Sequence, residues 1–428
     1  MATAQRLAAF LGTTLVLSAS AATAATYAWQ TAGGADWTNA ANWNPPGCPQ
    51  ELGDEAVLPQ IASATYSINL HAGNAITLSV LRVTSDAGQS YRVYMPVSTA
   101  TRSEIFLENP NGNAQLLFEA SAGAGKLTFD GNAAARHLVH LNDDLDIVVS
   151  NGTSTEDVEF NRTIFDGADR TITKSGSGNL RLYVNTSGGG LNDCTFNILE
   201  GQFTIAIDNP IPQCPVDMHE GTLLLCQYLG VGHRGGLIMR NNTTLRMQAN
   251  GVSESKHGDI TVHGSTTFDV QAGKELMGVY GMLAGTGTIV KTGTQTNFYV
   301  GTISPGFSAG TLTIDESAGA VLLGLTNNTV ELLIEDGDLI ELASFSAPVD
   351  LATIDATFLN ATTPGMTNWF LTCDAGIANE LNSVSFTNAL TGIVIYDAGN
   401  GRVGAIVVPE PAILFGAAGL VIAFLRRR

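Results

Sequence analysis

Leu283-Ala284-Gly285-Thr286-Gly287-Thr288-Ile289, followed by Thr302-Ile303-Ser304-Pro305-Gly306 and then Gly310-Thr311-Leu312-Thr313-Ile314, is the stretch that decides the fold. Apolar residues alternate with threonine at a period of two, the spacing that puts one face of an extended strand inward. Glycines punctuate the runs where a coil has to turn a corner, and Leu, Ile and Val are left to stack inward from coil to coil. Glu331-Leu332-Leu333-Ile334 and Asp338-Leu339-Ile340-Glu341-Leu342 continue the pattern.

Working outward, the same grammar recurs. Thr171-Ile172-Thr173-Lys174-Ser175-Gly176-Ser177-Gly178-Asn179-Leu180-Arg181-Leu182 leads through Gly188-Gly189-Gly190 to Cys194-Thr195-Phe196-Asn197-Ile198 and Glu200-Gly201-Gln202-Phe203-Thr204-Ile205. A degenerate copy starts at Glu220-Gly221-Thr222-Leu223-Leu224-Leu225 and runs through Gly235-Gly236-Leu237-Ile238-Met239 to Thr243-Thr244-Leu245-Arg246-Met247. This order of strand, Gly-x-Gly turn and strand resembles the autotransporter-associated β-strand repeat. The 283–314 segment looks like the late coils of autotransporter passenger domains. The membrane β-barrel of an autotransporter, about 250 further residues of alternating hydrophobicity, has no counterpart here. Only the passenger-like architecture carries over. Between residues 60 and 165 strands recur at irregular intervals, with turns expected at Asn111-Gly112 and Asp130-Gly131. That region alone fits a solenoid with variable loops or a sandwich.

The two ends read as processing segments. Arg6, an apolar stretch from Leu7 to Leu17 and the A-x-A site Ala22-Thr23-Ala24 form a secretory signal peptide over 1–24. At the other end Pro409-Glu410-Pro411 precedes fourteen residues, 412–425, and then Arg426-Arg427-Arg428. As a helix that run is about 21 Å long against about 30 Å of hydrocarbon, so it spans only marginally. The terminal arginines stay cytoplasmic by the positive-inside rule, and the motif faces outward. This tail resembles the PEP-CTERM class of bacterial proteins. The resemblance implies that an exosortase-type membrane enzyme reads Pro409, Glu410 and Pro411, and that the tail, anchored in the inner membrane as a precursor, is removed on the way to the surface. An ordinary C-terminal anchor is the alternative.

Composition sets the remaining bounds. The chain has 47 glycines, 14% charged residues and a net charge of −19. Removing Arg6 and the three terminal arginines leaves 16 of the 20 basic residues against all 39 acidic ones, near −23. Such a surface disfavours nucleic acid and favours cations or a hydrated polysaccharide matrix. Three of the four tryptophans, Trp29, Trp37 and Trp43, lie in 25–60. They suit either a cap on the open apolar end of a solenoid or platforms for sugar rings. The five cysteines are no disulfide scaffold; a Cys194/Cys214 or Cys214/Cys226 bridge is compatible with export.

No chemistry stands out. Asn142-Asp143-Asp144-Leu145-Asp146 and Glu335-Asp336-Gly337-Asp338 lack calcium-loop spacing and read as solvated turns. His137 and His140, three apart, diverge on a strand, and His257 and His263 are separated by Gly258. We assign no catalytic residue, cofactor or metal. The reading is an all-β chain, a single-stranded right-handed parallel β-helix over 61–344, with a tryptophan-rich cap at 25–60, a β cap at 345–403 and a sorting segment at 404–428. Its expected role is a structural or adhesin-like rod at the cell surface or in extracellular polysaccharide. A polysaccharide-binding or polysaccharide-degrading β-helix is the alternative.

Overall fold

The structure is a computed structural model. It describes residues 24–408 except 62–64, 72, 86–88, 96–102, 120–124, 132–136, 151–156, 162, 168, 184–193, 207–213, 227–234, 248–253, 271–275, 293–297, 305–310, 316–321, 324–329, 336, 346, 360–366 and 388–390. Among these residues the chain is all β, a solenoid of about ten turns, with two three-residue 3-10 turns at Ala40–Asn42 and Leu351–Thr353 and no α-helix.

Two stacks of parallel strands run the length of the solenoid. In the first, register aligns Leu145, Ile172, Phe196, Val216, Leu237, Ile260, Leu283, Ile303, Leu332 and Ala356 in one column. Every side chain in that column is buried. In the second, Tyr66, Tyr91, Leu127, Val158, Leu180, Phe203, Leu224, Leu245 and Phe268 align in the same way. A period-two sequence makes this possible, because every second side chain of each strand reaches the same interior line. A third stack covers only the early coils: Ala75–Leu78, Ser103–Leu107, His137–Leu141 and Thr163–Asp166.

Gly285 shows why glycine sits where coils approach. Its φ is +98°, and a Cβ there would lie 2.2 Å from the Val262 carbonyl oxygen of the coil below. Two lysines enter the core against expectation. Lys174 follows Ile172 on the inward face, is fully buried, and its ammonium donates to the Gly176 and Glu200 carbonyls, the latter at 2.7 Å. Lys291 is buried at the same place relative to its strand, two residues after Ile289.

The ends are closed differently. Trp29, Trp37 and Trp43 interlock edge to face, with centroids 5.0 and 4.9 Å apart. The far end turns antiparallel, where Arg402–Val408 pairs with both Thr367–Cys373 and Thr391–Asp397.

Two expectations need correction. Asp130-Gly131 is not a turn; both residues lie in the strand Leu127–Gly131, because strands on either side offer Tyr94, Met95 and Asn161 as ladder partners. The bridges Cys194/Cys214 and Cys214/Cys226 are not formed, since Cys194 and Cys214 are buried thiols, the first donating to the Gly167 carbonyl at 3.4 Å.

Candidate functional site

The residues singled out from sequence fall in scattered places. Ala24 is exposed, two residues before the strand Thr26–Trp29, while Ala22, Pro409, Glu410, Pro411, Arg426, Arg427 and Arg428 lie outside the described residues. The acidic run 142–146 tethers coils: Asp143 accepts from the Asn109 amide at 2.7 Å, Asp144 from the Thr171 amide at 2.9 Å and Asp146 from Asn113 Nδ2 at 3.2 Å. The reading of 335–338 as a solvated turn is corrected at Asp338, which is fully buried because its carboxylate accepts from the Glu335 amide at 2.8 Å and closes its own turn. His140 points outward from the third stack, stacked on Phe106 at 4.3 Å with Nδ1 3.3 Å from Asp166. His263 is exposed on another strand, and no group of three His, Cys, Asp or Glu among the described residues is arranged to hold a metal.

A different cluster is assembled on the second stack. Leu127 and Phe129 go inward, so Thr128 and Asp130 go to the opposite face, and register then decides who meets them. One row reads Arg92, Thr128, Glu159, Arg181; the next reads Tyr94, Asp130, Asn161, Tyr183. Four coils thus present Arg-x-Tyr, Thr-x-Asp, Glu-x-Asn and Arg-x-Tyr in order. At about 4.8 Å per coil the two tyrosines stand about 14 Å apart along the axis.

Each acid is held from two sides. Glu159 lies 3.3 Å from Lys126 Nζ and 3.4 Å from Arg181 Nη1. Asp130 accepts from Arg92 Nε at 2.9 Å and from Asn161 Nδ2 at 2.9 Å. The guanidinium of Arg92 lies 3.9 Å above the Tyr94 ring and that of Arg181 lies 5.0 Å from the Tyr183 ring, both within cation–π range. Two of the cations are far more exposed than the acids, while Arg181, at 9%, is as buried as they are. The Asp130 and Glu159 side chains are 10% and 7% exposed, whereas Arg92 and Lys126 keep 38% and 40% exposed. Carboxylates line the floor, and two of the three cations reach over them.

Sequence reasoning read Arg92-Val93-Tyr94 and Leu180-Arg181-Leu182 only as strands. The repeated Arg-x-Tyr was visible, but nothing local says that two segments some ninety residues apart share a face. Chemically, the arrangement offers cations, amide and hydroxyl groups and half-buried aromatic rings in a line. The chain matches no protein-family model, no curated protein and no solved structure.

Proposed function

We propose that this chain is an exported structural and adhesive rod, a right-handed single-stranded parallel β-helix delivered to the cell surface or extracellular matrix by an exosortase system. The observation that carries the reading is the pairing of a long β-solenoid with a Pro409-Glu410-Pro411 tail that resembles a sorting signal. A solenoid stacks coil on coil, so its length grows with coil number while each coil contacts only its neighbours. That geometry suits display at a distance. The signal peptide cut after Ala24 and the run 412–425 closed by Arg426-Arg427-Arg428 supply the route. Among the described residues no helix is long and apolar enough to cross a membrane, and 412–425 lies outside them.

Mass spectrometry of the C-terminal peptide, taken separately from inner-membrane and surface fractions, tests the proposal. A surface form ending near Pro409 to Pro411 supports sorting. An intact Arg428 confined to the inner membrane sinks it in favour of a plain anchor.

A second reading, a polysaccharide-binding solenoid, is favoured by the line of cations and tyrosines from Arg92 to Tyr183. It is compatible with the first, since an adhesive rod needs something to adhere to. No catalytic role is assigned to Asp130 or Glu159, because each is engaged by two partners.

A further inference from the structure

We infer that the face bounded by Arg92-x-Tyr94 and Arg181-x-Tyr183 binds a linear polyuronate, an acidic glycan laid along the solenoid axis. The inference deepens the glycan-adhesion reading and rests on it.

Charge is the first argument. The chain carries −19 overall, yet three of its 20 basic residues, Arg92, Lys126 and Arg181, gather on this face against the two carboxylates they engage. Because the carboxylates are the buried members and Arg92 and Lys126 the exposed ones, the layer that meets solvent is cationic. An anion can be shared by a guanidinium already bound to a carboxylate, since Arg has five N–H donors in a planar fork.

Geometry is the second. The rows follow the coils, so the ligand groups repeat along the axis at about 4.8 Å, and a periodic ligand is matched by a periodic site. Tyr94 and Tyr183 stand at corresponding places on the first and last of the four coils, each already beneath an arginine. A sugar ring that packs its C–H face on a tyrosine there brings its carboxylate toward the neighbouring guanidinium or ammonium. Asn161, between them, supplies an amide for ring hydroxyls.

A polyphosphate such as single-stranded nucleic acid shares the negative charge. Both carry one charge per repeat, and the uronate is favoured by where that charge sits: its carboxylate is on the same ring that packs against the tyrosine, beside Arg92 or Lys126, whereas a phosphate sits on the backbone away from the stacked base.

The test is calorimetric titration of the chain purified without residues 1–24, with its tail, against an α-1,4-linked oligogalacturonate, a neutral cello-oligosaccharide and a single-stranded oligonucleotide. Oligogalacturonate is expected to bind, and raising the salt to weaken it. Replacing Tyr94→Ala together with Tyr183→Ala should lower affinity at least about tenfold, and Lys126→Gln alone about threefold. Arg240→Gln, which breaks an exposed pair with Asp217 away from this face, should change nothing. Lys126→Gln guards the test, because a 40% exposed side chain can be replaced without unfolding the coils. Equal affinity for the neutral oligosaccharide, preference for the oligonucleotide, no binding to oligogalacturonate, or variants that bind as wild type would each overturn the inference. None of these outcomes depends on whether the tail is processed, so failure here leaves the sorting proposal standing.

Discussion

The two ends of this solenoid solve one problem in opposite ways. At the start, three tryptophans fill the open mouth of the first coil, and each indole N–H finds a carbonyl: Trp29 on Thr31 at 2.8 Å, Trp37 on Pro49 at 3.0 Å, Trp43 on Trp37 at 2.7 Å. At the finish, a hairpin turns antiparallel to the last coils and packs over a phenylalanine stack, with Phe386 against Phe358 at 4.8 Å and Phe370 edge-on to Phe358. Gly392 makes that closure possible, for a Cβ there would lie 2.3 Å from the Phe386 ring. The first end is sealed by bulk buried to 1% or less. The second is sealed by a ladder, and it leaves Ile393 54% exposed on its outer strand. Side-chain volume makes a plug, whereas backbone pairing makes a lid with an edge.

The sharpest way to break the contrast is to remove one member of each seal. Trp43→Ala should destabilise by about 3–5 kcal/mol in urea unfolding, because it opens a cavity in contact with both other indoles. Phe386→Ala, at a partly buried ring, should cost about 1–2 kcal/mol. Equal losses would mean that the two ends are not different in kind.

A carboxylate at each end gives a second comparison. Asp54 is buried and accepts from the Ala25, Gln50 and Glu51 amides at 3.3, 3.1 and 3.0 Å. Asp54→Ala should cost about 2–3 kcal/mol by leaving three part-buried amides without their shared acceptor. Asp374 does a similar task in the open, accepting from the Ser344 and Phe345 amides, the longer bond at 3.1 Å. There water replaces the lost acceptor, and Asp374→Ala should cost about 0.5–1 kcal/mol, read from the same urea midpoints.

Between the ends, the buried Lys174 should give the stability a pH dependence of its own. Burial pushes its ammonium down from 10.5 to about 8, opposed by the charges of Glu200 and Asp157. Below pH 8 both folded and unfolded chains hold the proton, and folding bears the cost of burying charge. From about 8 to 10.5 the folded chain sheds it first, so stability should rise with pH through that window. Lys174→Met should flatten the rise, as measured by urea midpoints at pH 7, 9 and 10. The smallest effect belongs to the exposed edge: Ile393→Lys should leave stability within about 0.5 kcal/mol. By sedimentation at high protein concentration it should reduce any edge-to-edge association.

Legibility followed the same divide between local and distant causes. The coils after residue 171 were readable because their repeat is short: Phe196 and Val216 are register partners twenty residues apart. In the earlier coils Leu81 pairs with Leu116 thirty-five residues on, since each coil there carries a third strand. That longer, uneven period left a sandwich as an open alternative. The third stack itself went unread for the same reason. Asp130-Gly131 misled because turn propensity is a property of two residues, while the ladder that overrides it belongs to three coils. The Arg–Tyr face was hidden more deeply: its parts are separately ordinary strands, and only register joins them. Lys174 shows the converse, an apparently exposed lysine before a Gly-rich turn that alternation alone places inside.

The antiparallel closure has a mechanical consequence. Arg402–Val408 is not an edge strand; it is held on one side by Thr367–Cys373 and on the other by Thr391–Asp397. A pull applied along that strand at Val408 loads two ladders in shear and must break many bonds together. Force entering through a lone terminal coil would instead peel pairs one at a time. Resistance to shear is therefore concentrated in the strand that ends at Val408.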